Sequence, residues 1–420
     1  MFCNRPQEAA STPITLLHPI LGQFVDDCKV DTSNPKINLF VRELAKEMCK
    51  FYDEERSRAQ KFRDLIWDHF KIKLEAADIP NTTFTTDDHA TVGYYVYIHS
   101  EGKNEACGTK ADPALQTAIY YHHHTKNVSL EVLGSVFPCI HIYYFGACLG
   151  FSGSAFSDRV HFEPLTEILP LCWSHHETEM FNRAARIFNA FKNAAERLVT
   201  YYEALASKSL TCFNHKNARF PYPTTFTALN SGSLTPFTLT EQPYPDKLLY
   251  SGFADQERPI VVKFVRTYSK DLHEFCVALN SAPTLLGFDE LPGGWFMVVM
   301  EFMMDYIPLS EVKKRNLFES AHLNTIHGMV SNVVDKFHNA NFVHGDVRDA
   351  NILVPMDGAN VVKFVDFDWG GKVQEVRYPP LVNNIPPQND NMGVWRPPGA
   401  FDGELITTEH DKEMVKHMFT

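Results

Sequence analysis

The chain has 420 residues, 44% of them hydrophobic and 13% aromatic, and a formal net charge of −12. That composition supplies cores for two or three domains, excludes a disordered chain, and leaves neither half with the bulk basic footprint of a nucleic-acid coat. Nine cysteines, scattered singly with no CxxC pair, exclude a disulfide framework and a structural zinc site, and point to a reducing, intracellular setting, cytoplasmic or nuclear. The first residues lack the basic head and apolar run of a secretory signal, and no membrane partner is expected.

In chain order, residues 1–35 are rich in Pro, Ser, Thr and Asp without periodicity and read as a flexible N-terminal arm. Residues 37–70 are charged and free of Gly and Pro, which predicts one long helix or two. A strand follows at 91–99, then a polar turn around Gly108, then a short helix opening at Pro113, where Asp112 can cap. The stretch 132–157 contains no Asp, Glu, Lys or Arg, yet Pro138, His141, its glycines and its β-favouring aromatics make it buried strands, not a membrane span. From 176 to 205, Phe181, Ala184, Phe188, Phe191, Ala195, Leu198 and Tyr202 recur at three-four spacing, an amphipathic helix that closes the first domain. The expected boundaries are a first domain at 36–210, a Thr/Ser/Pro-rich linker at 211–224 and a second domain at 225–420.

The richest chemistry lies in FVHGDVRDANILV at 342–354 and VKFVDFDWGG at 362–371. Phosphoryl transfer asks for a carboxylate to orient the acceptor hydroxyl, side chains to hold Mg²⁺ on the ATP phosphates, and cations to offset charge. Asp346 is the candidate base, Arg348 the cation for the migrating group, and Asn351 and Asp366 the metal ligands. Upstream, IVVKFV at 260–265 is a strand whose single charge, Lys263, is placed for the α and β phosphates, and Glu274, or else Asp271, on the next helix is its candidate partner. A turn at Gly293 and Gly294 introduces a buried strand at 295–300, and Glu301 to Met303 reads as the backbone hinge for adenine. Residues 323–338 read as the helix that delivers the catalytic loop.

The order VVKF, VVMEF, HGDVRDAN, VDFDWG resembles the protein-kinase-like superfamily, and the DFDWGG ending resembles the divergent kinases of fungi and oomycetes. The resemblance covers about 225–420 and implies an α+β bilobal fold that uses ATP and Mg²⁺ to phosphorylate a hydroxyl, with Ser or Thr on a protein as first expectation. Three departures accompany it. Gly345 stands where the family has an arginine that grips a phosphorylated loop. Asp368 replaces the glycine of DFG, which predicts a more rigid metal loop. No G-x-G-x-x-G precedes Lys263, where Tyr250-Ser-Gly-Phe253 is the only candidate, and the chain beyond Asp366 implies a reduced C-lobe, in which Asp411 would brace the catalytic loop.

A second constellation lies in the first domain. Metal-assisted phosphodiester cleavage wants two carboxylates on adjoining strand ends and a lysine, and Asp88, Glu101 and Lys103 offer them, with Gln116 and Tyr120 sharing one face of the next helix. D, then ExK, then QxxxY resembles the PD-(D/E)xK restriction-endonuclease-like superfamily, which implies an N-terminal α/β fold and DNA as a partner. A nuclease-like domain ahead of a DFDWGG kinase resembles the paired architecture of Crinkler-type effectors. His122, His123 and His124 splay around a helix and read as surface or partner-facing. These residues also admit two rival readings. One is a pseudokinase in which the fold is a nucleotide-gated interaction module. The other is a DNA-cleaving effector regulated by its kinase domain.

Overall fold

The computed structural model describes residues 12–31, 34–78, 85–105, 111–129, 135–174, 176–207, 218–255, 257–380, 382 and 394–420. Gly108 and residues 211–217 of the expected linker lie outside them. The chain divides into two compact units, Met1–Pro223 with Leu291–Gly294, and Thr224–Glu290 with Trp295–Thr420. It is a mixed α/β protein with several sheets. Among the described residues no helix is long and apolar enough to cross a membrane.

The first unit runs α1 (Ile14–Leu17), α2 (Pro19–Asp27), α3 (Pro35–Met48), α4 (Glu55–Phe70), β1 (Glu75–Asp78), β2 (Thr85–Val92), β3 (Tyr95–Lys103), α5 (Pro113–Ser129), β4 (Cys139–Phe145), β5 (Cys148–Phe156), β6 (Val160–Pro164), β7 (Leu169–Pro170) and α6 (Thr178–Ala206). Its strands form one sheet in sequence order, with β7 added on β5 and the β3–β4 pair parallel. Residues 12–27 are not an arm. Pro19 starts α2 at its first turn, and Ile14, Leu16, Leu17, Leu21 and Phe24 are fully buried, each worth roughly 1.5–3 kcal/mol of apolar burial. The helical region 37–70 is two helices, and the strand expected at 91–99 is broken by a hairpin turn in which Gly93 takes φ +60°. Asp112 caps α5 through Oδ1, which accepts from Ala114 N at 2.9 Å and Leu115 N at 3.3 Å. The charge-free stretch supplies β4 and β5, both buried inside the sheet.

The sheet has two covered faces. On one, Tyr144 meets Phe62 of α4, with ring centroids 4.7 Å apart. On the other, His99 and His141 meet His124 and Tyr121 of α5 at 5.2 and 5.7 Å. His124 therefore turns inward, against His89 and His99, where a surface position was expected. His99 is fully buried and neither ring nitrogen finds a partner among the described residues, while His141 Nε2 is hydrogen-bonded to Ser154 Oγ at 2.7 Å.

Burial is the leading cause that holds these rings neutral: His18 and His141 fall to about 3, His124 and His161 to about 4, and His99 well below its usual value. A histidine whose folded pKa is depressed binds its proton first in the unfolded chain. Stability is therefore intact above the unfolded value of 6.5 and declines as pH falls from there toward 3–4, by up to about 1.4 kcal/mol per ring per pH unit. Thermal melts of the chain are expected to show the first unit's transition dropping steadily from pH 6.5 to 5, with a flat profile from 7 to 8. A transition unchanged down to pH 5 would contradict the buried-histidine account.

The second unit runs β8 (Thr225–Thr227), β9 (Leu234–Glu241), β10 (Leu249–Ala254), β11 (Arg258–Val265), α7 (Lys270–Ala278), β12 (Leu285–Leu291), β13 (Trp295–Glu301), β14 (Tyr306–Pro308), α8 (Leu309–Arg315), α9 (Ser320–Asn339), β15 (Phe342–Val343), β16 (Ile352–Pro355), β17 (Lys363–Phe364), β18 (Gly371–Lys372) and α10 (Thr408–Met418). A six-stranded sheet in the order β12-β13-β11-β10-β9-β8 carries Lys263 on its middle strand β11. A helical layer of α8, α9 and α10 packs around Val330, Val334, Phe337, Val347, Phe364 and Met414. The short ladders β14-β16-β17 and β15-β18 hold the loops between them. Tyr250 to Phe253 lies within β10 and not in a turn. The turn before it, 242–248, contains no glycine and carries Lys247.

Candidate active site

Each piece of the site is fixed by backbone geometry close to its side chain. Lys263 alternates with the buried Val262 and Phe264 on β11, so its stem leaves the sheet on the opposite face. Its ammonium lies 2.5 Å from Asp366 Oδ1 and 2.6 Å from Asp368 Oδ1. Asp366 follows β17 and adopts φ +70°, a left-handed conformation that costs an L-residue about 1–2 kcal/mol and persists because the residues around it are held. Phe367 between the two carboxylates is buried, stacked at 4.7 Å on His273 and packed at 5.3 Å on His344, and its carbonyl accepts from Ser269 N at 2.9 Å.

The expected partner of Lys263 is not where the sequence pattern put it. Glu274 is exposed and pairs with Lys270 at 3.7 Å on its own helix, and Asp271 is exposed as well. The inward position of α7 belongs to His273, whose Nε2 reaches Pro283 O at 2.9 Å and whose Nδ1 lies 2.7 Å from the Tyr268 hydroxyl. A carbonyl can only accept, so Nε2 carries the proton and Nδ1 accepts from Tyr268. Burial holds this ring's pKa down to about 4, consistent with a neutral tautomer. Asp368 occupies the role expected of Glu274.

Charge at this triad follows from burial. Desolvation alone would lower the Lys263 ammonium, but the two carboxylates override it and raise it. Desolvation would likewise raise Asp366, but Lys263 takes it down to about 2. Asp368 is pushed up to about 7, by burial first and by the Asp366 charge, against the pull of Lys263. Near neutrality the pair is therefore part-protonated, with the proton on Asp368 and Asp366 ionised. Lys247, from the β9–β10 turn, adds to the positive field at Asp366, and no sequence motif marks it.

The loop that opens at His344 is braced from α10. Asp411, fully buried, accepts from His344 N at 2.9 Å and Gly345 N at 2.8 Å, and pairs with His338 Nε2 at 3.1 Å. Thr407 and His410 cap α10 reciprocally, which sets Asp411 in its first turn. Gly345 takes φ +79°, which strains any L side chain, and a Cβ there would meet Ile406 Cδ1 at 2.8 Å, so an arginine is disfavoured and would require Ile406 to shift. Removing the brace as Asp411→Ala orphans two buried N–H groups. A loss of about 3 kcal/mol in the second unit is expected from urea unfolding, and an unchanged midpoint would remove Asp411 from this role.

Asp346 is buried, and both of its oxygens are engaged. Oδ2 accepts from Arg348 Nε at 3.0 Å and Asn351 Nδ2 at 2.7 Å, and Oδ1 accepts from Arg396 at 2.6 Å. Asn351 Nδ2 also reaches Asp346 O at 3.0 Å, which orients the amide so that its Oδ1 makes no bond among the described residues. Arg396 carries no signal in the sequence. Its guanidinium is buried, lies 4.7 Å from the Trp369 ring centroid, and leaves Nε without a partner among the described residues. At the hinge, Met303 O accepts from Tyr306 N at 3.2 Å, and the Glu301 carboxylate accepts from Thr284 Oγ1 at 2.8 Å.

In the first unit the nuclease-like residues do not all converge. Glu101 and Lys103 share a face, and their side chains meet at 2.7 Å, with Glu55 of α4 at 3.3 Å from the same ammonium. Gln116 and Tyr120 sit together on α5 at 3.4 Å. Asp88 stands opposite Ser100 in the β2–β3 ladder, which puts it on the other side of the sheet, bonded to Arg63 of α4 at 2.7 Å.

No protein-family model matches the chain, and no curated protein does. Among solved structures the chain is similar to vaccinia related kinase 3, at 14% identity over 52% of this chain and 71% of that one, with a TM-score of 0.34. A likeness this slight carries no argument about function.

Proposed function

We propose that the second unit is a Mg·ATP-dependent phosphotransferase that moves the γ-phosphate to a hydroxyl, Ser or Thr on a protein being the first acceptor to test. The observation that carries this reading is the ion pair between Lys263 on β11 and Asp366 on the metal loop, 2.5 Å across 103 residues of sequence. It joins the two halves that phosphate binding needs. Asp366, Asp368 and the free Oδ1 of Asn351 are hard oxygen donors that suit Mg²⁺, which when bound offsets charge on the β and γ phosphates. Among the described residues no cluster of three or more His, Cys, Asp or Glu is built to hold a metal. Mg²⁺ does not require one, because it keeps waters and takes phosphate oxygens alongside one or two carboxylates.

Each of the chain's own groups then has a role. Lys263 binds phosphate oxygens, with Lys247 adding positive field. Arg348 offsets charge on the moving group. Asp346 accepts the acceptor's proton as the new O–P bond forms and the bond to ADP breaks. Arg396 takes one lone pair of Asp346 Oδ1, which leaves the second for an acceptor hydroxyl. The rival is a nucleotide-gated binding module with the same contacts and no turnover. Thermal-shift titration with Mg·ATP, alongside a phosphate-release assay, separates them: stabilisation with release supports transfer, stabilisation alone supports the module, and neither removes both.

For the first unit the Glu101–Lys103–Glu55 cluster is what supports a phosphodiester-cleaving reading, with DNA as substrate. Metal-dependent cleavage that persists undiminished in Lys103→Ala would exclude this site.

A further inference from the structure

We propose that Cys49 and Cys172 form a reversible disulfide, a redox site on the first unit whose reaction partner is a low-molecular-weight disulfide. Their sulfurs are 3.4 Å apart although the residues are separated by 123 positions, and both cysteines are exposed. A disulfide closes to about 2.05 Å, a movement within the reach of side-chain rotation when the backbones are held. They are held. Arg58, itself 1% exposed, donates to Met48 O at 2.7 Å and Lys50 O at 2.9 Å, the carbonyls on either side of Cys49. The same guanidinium donates to Gly146 O at 3.1 Å. Leu171, next to Cys172, donates its N–H to Ala147 O at 2.7 Å, so both thiols hang from one turn, that between β4 and β5.

Burial and the neighbouring Cys172 thiol push Cys49 up to about 11. The Cys172 thiolate attacks one sulfur of the small disulfide and releases one small thiol. The Cys49 thiolate then attacks the mixed disulfide at Cys172 and releases the second. Two protein thiols are oxidised, one small disulfide is reduced, and the two protein protons leave on the two small thiols. The cross-link also bears on the Glu101–Lys103 cluster. Arg58 Nε bonds Asn104 Oδ1 at 3.2 Å and Asn104 Nδ2 bonds Tyr52 O at 2.6 Å, so oxidation stiffens the segment that carries Glu55 to Lys103.

The test incubates the full chain, folded, in graded mixtures of reduced and oxidised glutathione, followed by acid quench, alkylation and peptide mapping. The expected product is a Cys49–Cys172 cross-linked peptide that dithiothreitol reverses, that persists in Cys148→Ser, that is lost in Cys49→Ser, and that raises the melting temperature of the first unit by roughly 5 °C or more. Separate glutathione adducts at the two cysteines without a cross-link, a cross-link to the nearby Cys148 in their place, or a cross-link that appears only after unfolding in urea would each overturn the proposal.

Discussion

Asp346→Asn is expected to lower γ-phosphate transfer by about 10²- to 10⁴-fold while leaving the affinity for Mg·ATP within about twofold. The size follows from the role: an amide cannot take the acceptor's proton, and a positioned base contributes roughly that range. Retained binding follows from place, because the ammonium proposed to meet the phosphates is Lys263 on β11, bonded to Asp366 and Asp368 and not to Asp346. Asparagine is not silent structurally. One of its two ends must present N–H toward Arg348, Asn351 or Arg396, all donors, so a modest stability loss of about 1–3 kcal/mol accompanies the kinetic one. Single-turnover transfer at saturating ATP, on protein shown by melting to be folded, separates the two effects. A variant that transfers at the wild-type rate removes Asp346 as the base.

Lys263→Met is expected to be the most destabilising single change in the second unit, by about 3–5 kcal/mol at pH 8, and to abolish Mg·ATP binding. The lysine is bonded to two carboxylates that are themselves three-quarters buried, at 26% and 25% side-chain exposure. Breaking such a group from one side leaves uncompensated charge in low dielectric. The pH dependence carries the signature. Asp368 already sits at about 7, above its unfolded value of 3.8, so the folded state binds the extra proton, and this carboxyl opposes folding progressively as pH rises between those values. Without Lys263 that opposition grows. Urea unfolding should therefore show a larger loss at pH 8 than at pH 6, and Lys263→Met combined with Asp368→Asn should regain a good part of it. Equal losses at both pH values would mean that the triad's charge is not what holds the loop.

What could be read from the sequence depended on whether a residue's setting is local. The 29-residue α6 spans enough turns for its apolar period to show, and Asp112 beside Pro113 states its cap within a few residues. Asp411 was legible for the same reason, since it lies in the first turn of a helix announced by Ile406-Thr-Thr. Residues 12–27 were not. Helices of 4 and 9 residues show too little period, and their prolines and threonines resemble a loop until the core they bury is known. Glu274 against His273 is a choice of helix face, decided by where Phe367 stacks, a contact made from almost a hundred residues away. Asp88 fails by one position. The strand period is two, so a single step in register carries a side chain to the other side of the sheet, and a motif spacing does not reveal which step is taken. Arg396 belongs to no motif and reaches Asp346 across 50 residues. The Cys49–Cys172 contact, 123 residues apart, is equally silent among scattered cysteines.

The most direct measurement is the fate of the terminal phosphate. Purified protein is incubated with ATP labelled at the γ position and Mg²⁺, with and without a generic protein acceptor, and the label is followed to hydroxyl esters and to inorganic phosphate. Magnesium-dependent transfer that vanishes in Asp366→Ala is the outcome expected of a cleft in which β11 and the metal loop grip one nucleotide. Labelled ATP recovered intact at every protein concentration, from a chain that nonetheless binds it, would mean that these residues hold a nucleotide without moving its phosphate.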